Sequence, residues 1–164
     1  MVMQTPLSFR SMTVLDNALL GAMFGSDEGV VGEGEARRRA AETLRFVGLE
    51  ARANQPVASL NLHQQRFLEL AKALAGQPKL LLLDEVMAGL NETEVAASIS
   101  IVRNVRDRFG TTILWVEHVM SAVIALAERV IVLNFGKVIA AGTPGVVMRH
   151  PEVVDAYLGP ARVA

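Results

Sequence analysis

The sequence predicts an α/β protein in which a parallel sheet occupies the second half of the chain and a mostly helical subdomain precedes it. Three observations carry this. Leu80-Leu81-Leu82-Leu83 is an unbroken apolar run closed by Asp84-Glu85, the pattern of a strand buried on both faces that stops at a reactive edge. A second apolar run, Thr111-Thr112-Ile113-Leu114-Trp115-Val116, comes roughly thirty residues later, past an amphipathic helix, and ends in Glu117-His118. Before residue 80 the periodic stretches are helical and are separated by glycine-rich breaks.

In chain order, residues 1–11 are an irregular lead containing Pro6. Thr13 with Asp16 three residues on predicts a capped helix over 14–24. Gly25-Ser26-Asp27-Glu28-Gly29 and Gly32-Glu33-Gly34 break the chain before a helix over 35–47 that ends at Gly48 as a glycine C-cap. Residues 49–60 read as a loop with Pro56 and Ser59. A helix over 62–75 follows, with Leu62, Phe67, Leu70 and Leu74 as its apolar stripe, stopping at Gly76-Gln77-Pro78. Beyond the acidic strand, Asn91 caps a helix over 92–108 whose Val95, Ile99, Val102, Val105 and Phe109 keep near-helical spacing. The second strand leads to a short helix over 120–127, a hairpin of 129–134 with 137–141 around Phe135-Gly136, and two small helices after Pro144 and Pro151.

Composition narrows the function classes. Sixteen basic against seventeen acidic residues give a net charge of -1, which indicates no nucleic-acid footprint. The one basic run, Arg37-Arg38-Arg39, reads as a solvated helix face. With no cysteine there is neither a disulfide framework nor thiol chemistry. Apolar residues make up 51% of the chain, yet no segment reaches the roughly 18 in a row that span a bilayer. The first residues lack the basic and apolar regions of a signal peptide, so a soluble cytoplasmic protein is expected, with apolar surface buried against a partner.

Chemistry in open α/β sheets sits just past the carboxyl ends of the strands. Asp84 is therefore placed to hold a magnesium ion, and Glu85 to orient or polarise an attacking water. A core strand followed by a solvated acidic turn is the plainer alternative.

The order of acidic strand end, Gly89-Leu90-Asn91 loop, helix, and strand closing on a lone histidine resembles the ATP-binding subunits of ABC transporters. Asp84-Glu85-Val86-Met87-Ala88-Gly89-Leu90-Asn91 is similar to the branch serving importers of branched-chain amino acids, although Val86 stands where proline is usual. The resemblance implies a P-loop NTPase-like parallel sheet with a helical subdomain. It implies roles for Asp84 (magnesium), Glu85 (water), Ala88 to Asn91 (the D-loop, with Gly89 and Asn91 near nucleotide) and His118 (the switch histidine near the γ-phosphate). Gln4, before Pro6 and Met12-Thr13-Val14, resembles the Q-loop glutamine that contacts the metal at the entry to a subdomain facing the membrane permease. The tail, Ala140-Ala141-Gly142-Thr143-Pro144 to Tyr157-Leu158-Gly159, resembles the end of the amino-acid-importer branch. By role the chain then divides into a Q-loop and helical subdomain (1–60), a signature helix and catalytic core (61–142) and a helical tail (143–164).

The stretch matching the family's signature turn is Leu60-Asn61-Leu62-His63-Gln64. Its physics is a helix N-terminus whose free N–H groups face a γ-phosphate held by a partner subunit. His63 stands where glycine is usual, so its ring must point away or crowd the phosphate; Asn61 can cap the helix or donate to phosphate; Gln64 keeps the family residue.

A triphosphatase of this type also needs G-x-x-x-x-G-K-[ST] to cradle and neutralise the phosphates. The three lysines, Lys72, Lys79 and Lys137, precede alanine, leucine and valine, so none fills that role. The sequence thus looks like the second half of an ABC ATPase, as a misplaced start or truncated frame would produce. The strand carrying the phosphate loop in relatives lies between the His118 strand and the 129–134 strand, so its loss would leave an apolar slot or force those strands together. Three readings stand: the ATP-hydrolysing subunit of a branched-chain or other hydrophobic amino-acid importer, using ATP and Mg2+ in an intact form; a non-catalytic module docking on a permease or an intact ATPase subunit; or another phosphate-linked enzyme reusing Asp84 and Glu85. The first implies permease subunits and a second ATP-binding subunit as partners, at the inner face of the plasma membrane.

Overall fold

Helix α1 (Val14–Phe24) opens on a reciprocal cap: the Thr13 hydroxyl accepts from the Asp16 N–H, and the Asp16 carboxylate accepts from the Thr13 N–H. The computed structural model describes residues 1–3, 5–26 and 29–158, in two compact units, Met1–Glu117 and His118–Ala164. In the first unit α1 packs with α2 (Glu33–Phe46) and α3 (Leu62–Ala75). Small residues make this approach possible: Ala22, Ala36 and Ala75 form the seam, and a Cβ at Gly21 would lie 2.1 Å from the Lys72 carbonyl oxygen. Buried Asn17 ties the irregular lead to α1, its Oδ1 accepting from the Phe9 N–H and its Nδ2 donating to the Phe9 and Thr13 carbonyls.

Helix α2 starts two residues before the predicted position, with Gly32 as N-cap, and its end is marked by Gly48 at φ 75°. Arg37 and Arg38 form the solvated face that the sequence predicts, but Arg39 is mostly buried, its side chain 15% exposed. Arg38 and Arg39 both bond Glu35, which holds that carboxyl down at about 2. The predicted loop after α2 contains two 3-10 turns, Glu50–Arg52 and Val57–Ser59.

Strand β1 (Leu80–Asp84) pairs in parallel with β2 (Thr112–Val116), Asp84 lying opposite Val116; α4 (Glu92–Phe109) connects them. Thr111 stays outside β2, buried, with its hydroxyl donating to the Pro78 carbonyl at 3.1 Å. Burial on both faces of β1 is corrected: Leu81 and Leu83 are 1% and 2% exposed, but Leu80 is 53% exposed. Alternate side chains point to opposite faces, and only one face of this strand is packed on core. Leu62 is likewise exposed and leaves the α3 stripe to Phe67, Leu70 and Leu74, because it sits in the first turn, ahead of the buried part of the helix.

The second unit holds α5 (Met120–Leu126) and an antiparallel hairpin of β3 (Val130–Asn134) with β4 (Lys137–Gly142). It continues through α6 (Pro144–Val147) and α7 (Pro151–Val153) to a wide turn, Val154–Leu158. Val132, Val147 and Val153 make its core, and the Tyr157 hydroxyl donates to the Leu133 carbonyl at 2.9 Å. β2 and β3 belong to separate sheets. Phe135 and Gly136 have φ 45° and 76°, the positive pair a two-residue hairpin turn requires. Phe135 is 100% exposed, so its ring gains nothing from packing while its backbone is strained. Phe135→Asn is expected to stabilise the chain by about 1 kcal/mol, read as a higher denaturation midpoint. Among the described residues no helix is long and apolar enough to cross a membrane.

Candidate functional site

Backbone pairing on both sides of β1 presents the two carboxylates. Val2 bridges β1 in parallel on the edge away from β2: its N–H donates to the Leu82 carbonyl at 2.8 Å, and the Asp84 N–H donates to the Val2 carbonyl at 3.0 Å. One residue on, the Glu85 N–H donates to the Val116 carbonyl at 2.9 Å. Asp84 and Glu85 are half-buried at the carboxyl end of a parallel strand held from two sides. Glu85 has φ 46°, left-handed backbone that is strained in a residue with a side chain, and strain of this kind concentrates at functional positions.

A tight turn follows. The Ala88 N–H donates to the Glu85 carbonyl and the Leu90 N–H to the Met87 carbonyl, while the Met87 side chain is buried. Gly89, exposed at φ 73°, lets the chain reverse into Asn91. The Asn91 side chain caps α4, accepting from the Glu94 N–H at 3.0 Å, and the Glu94 carboxylate accepts from the Asn91 N–H at 3.0 Å.

Asn61 caps α3 in the same way. Its Oδ1 accepts from the Gln64 N–H at 2.8 Å, and the Gln64 Oε1 accepts from the Asn61 N–H at 3.1 Å. Both side chains are therefore engaged in the cap. The His63 ring packs edge-on against Phe67, 4.5 Å between centroids, so it turns along the helix instead of out from its tip. Burial lowers its pKa and Arg66 adds to the effect, outweighing the opposite pull of the Glu94 carboxylate, so the neutral ring is favoured. His63 lines a crevice of about 20 Å³ together with Leu83, Val86, Met87 and Leu90. The first turn of α3 and the acidic end of β1 therefore meet around one small apolar space.

Two side chains without a role in the sequence pattern join these elements. Arg66 Nη1, from α3, donates to the Ala88 carbonyl and, at 3.5 Å, to the Val86 carbonyl. Glu117 Oε1 accepts from the Met87 N–H at 3.0 Å. No spacing rule announces either contact. Of the remaining predicted residues, His118 is exposed and begins the second unit, and Gln4 lies outside the described residues.

No group of three or more histidine, cysteine, aspartate or glutamate side chains is placed to hold a metal among the described residues. A magnesium ion that travels with a nucleotide needs only one or two protein carboxylates, with phosphates and waters as its other ligands. Asp84, at a half-buried strand end, fits that demand.

Comparison with known proteins places these features in a family. Residues 1–88 match the ABC transporter family, and residues 137–159 match the family described as branched-chain amino acid ATP-binding cassette transporter. The chain is 36% identical over 164 aligned residues to the high-affinity branched-chain amino acid transport ATP-binding protein LivG of Salmonella typhimurium, an alignment covering 93% of this chain and 64% of that protein. It is 34% identical, over the same shares, to the corresponding protein BraF of Pseudomonas aeruginosa. It thus spans less than two thirds of the length of these relatives. Among solved structures, the ADP conformation of MJ1267, an ATP-binding cassette of an ABC transporter, superimposes with a TM-score of 0.79 at 26% identity, covering 97% of this chain and 67% of that one. The chain belongs to the ABC transporter family, whose match covers more than half of it.

Proposed function

We propose that this chain carries the hydrolytic carboxylates of the nucleotide-binding subunit of an importer for branched-chain or other hydrophobic amino acids. The observation that supports this most is the Asp84-Glu85 pair at the carboxyl end of β1, with Glu85 in left-handed backbone and its N–H bonded to the Val116 carbonyl. In this reading Asp84 holds Mg2+ and Glu85 polarises the attacking water. The family resemblance implies nucleotide contact for Asn61, His63, Gln64, Gly89 and Asn91, metal contact for Gln4 and a γ-phosphate switch role for His118; of these, the His63 ring is turned onto Phe67. Bound Mg-ATP would supply the phosphoryl group and the cation that offsets its charge. Permease subunits and a second ATP-binding subunit are the partners, at the inner face of the membrane.

Within the 164 residues there is no G-x-x-x-x-G-K-[ST] segment, the element that supplies most triphosphate contacts in phosphate-loop enzymes. The 164-residue chain is therefore expected to bind Mg-ATP weakly or not at all. Titration calorimetry checks this, and low-micromolar binding by the chain alone would contradict it. The same observation favours a second reading, in which the chain docks on a permease or on an intact ATPase subunit without hydrolysing ATP. The two readings part on Glu85, which only the first requires.

A further inference from the structure

The turn after the carboxylates is held from two elements at once, and its carbonyls are divided between two sets of donors. The turn's own N–H groups take the Glu85 and Met87 carbonyls, through Ala88 at 3.1 Å and Leu90 at 3.3 Å. The alternating carbonyls, Val86 and Ala88, receive Arg66 Nη1 from α3. The Met87 N–H, between them, is accepted by Glu117 Oε1 from the residue after β2, at 3.0 Å. The Met87 side chain meanwhile anchors in the core.

We propose that Arg66 and Glu117 are positioning residues that clamp the backbone of 86–88 and thereby keep Glu85 in its strained conformation, fixed relative to the start of α3. Three features support the assignment. Arg66 lies five residues past the Asn61 cap on the same helix, so any displacement of the α3 N-terminus is passed to the turn through one guanidinium. A guanidinium presents its donors in a rigid plane, which suits it to two carbonyls of one turn. A left-handed non-glycine residue persists only where its surroundings over-determine it, and the clamp adds bonds at Val86, Met87 and Ala88 to the Glu85–Val116 bond. That what is positioned is a water-polarising carboxylate rests on the function proposed above; that the turn is clamped does not.

The test is residue-resolved amide exchange on the 164-residue chain, without nucleotide. Glu117→Ala is expected to raise exchange at Met87 about tenfold, the scale of one lost hydrogen bond to a charged acceptor. Glu117→Gln, which retains an acceptor oxygen, should stay within about twofold of the parent. Arg66→Gln should raise exchange across 85–90 while protection in α1 and α2 is unchanged, and Arg66→Lys should restore part of the loss. Met87 exchange unaffected by Glu117→Ala, or raised equally by Glu117→Gln, overturns the clamp. So does a rise that spreads evenly over the first unit, because that is the signature of lost packing. Because no nucleotide is present, this result judges the clamp alone, and the ATPase reading fails separately, on the turnover of Glu85→Gln.

Discussion

Glu85→Gln is expected to lower ATP turnover on the order of 10²–10⁴-fold, the usual weight of a positioned base, while leaving Mg-ATP affinity nearly unchanged, in any form of this subunit that also carries a phosphate loop. The amide keeps the volume of the carboxylate and the backbone conformation at φ 46°, so the bond from the Glu85 N–H to the Val116 carbonyl has no reason to change. What is lost is the negative charge that the proposed role requires. Phosphate release under saturating ATP, with a separate binding titration, reads the two quantities independently. His118→Ala should slow turnover as well, by an amount measurable on its own. Unchanged turnover in Glu85→Gln would move the chemistry elsewhere and return the phosphate-linked alternative to the front.

The second large effect expected is association of the 164-residue chain with itself. In the first unit Leu80, Leu114 and Val116 are exposed on β1 and β2, and β2 pairs only with β1 among the described residues. In the second unit Ile131, Leu133 and Val138 are exposed on the hairpin. An apolar face of a few hundred Å² left in water forgoes several kcal/mol at roughly 25 cal/mol per Å², and a strand edge with open N–H and C=O groups offers a template for pairing. Light scattering over a dilution series should show mass rising with concentration. A monodisperse monomer with cooperative unfolding throughout would contradict this and would favour a self-sufficient docking module.

Local chemistry was readable residue by residue. Thr13 with Asp16 and Asn91 cap helices as the sequence predicts, and Asn61, which the sequence leaves open between capping and donating to phosphate, caps α3 with Gln64, because a cap is decided by side chains three positions apart. The hairpin at Phe135-Gly136 and the end of β1 at Asp84 were equally legible, since both are turns in the hydrophobic pattern. The Asp84-Glu85 candidate emerged for the same reason: apolar run and carboxylates are contiguous in the chain.

Contacts between distant segments were decided only by the tertiary structure. Four leucines in a row predict a strand covered on both faces, but coverage belongs to the neighbours, and Leu80 stays 53% exposed. The sequence leaves the direction of the His63 ring open, because it depends on where Phe67 sits once α3 is packed. Arg66 and Glu117 carried no motif, since a bond to a backbone carbonyl or N–H leaves no trace in the partner's identity. Sequence by itself determined the caps, the turns and the acidic strand end, which are set by neighbours along the chain. Packing decided which face of β1 is buried and what holds the turn beyond it, because those depend on residues twenty to thirty positions away.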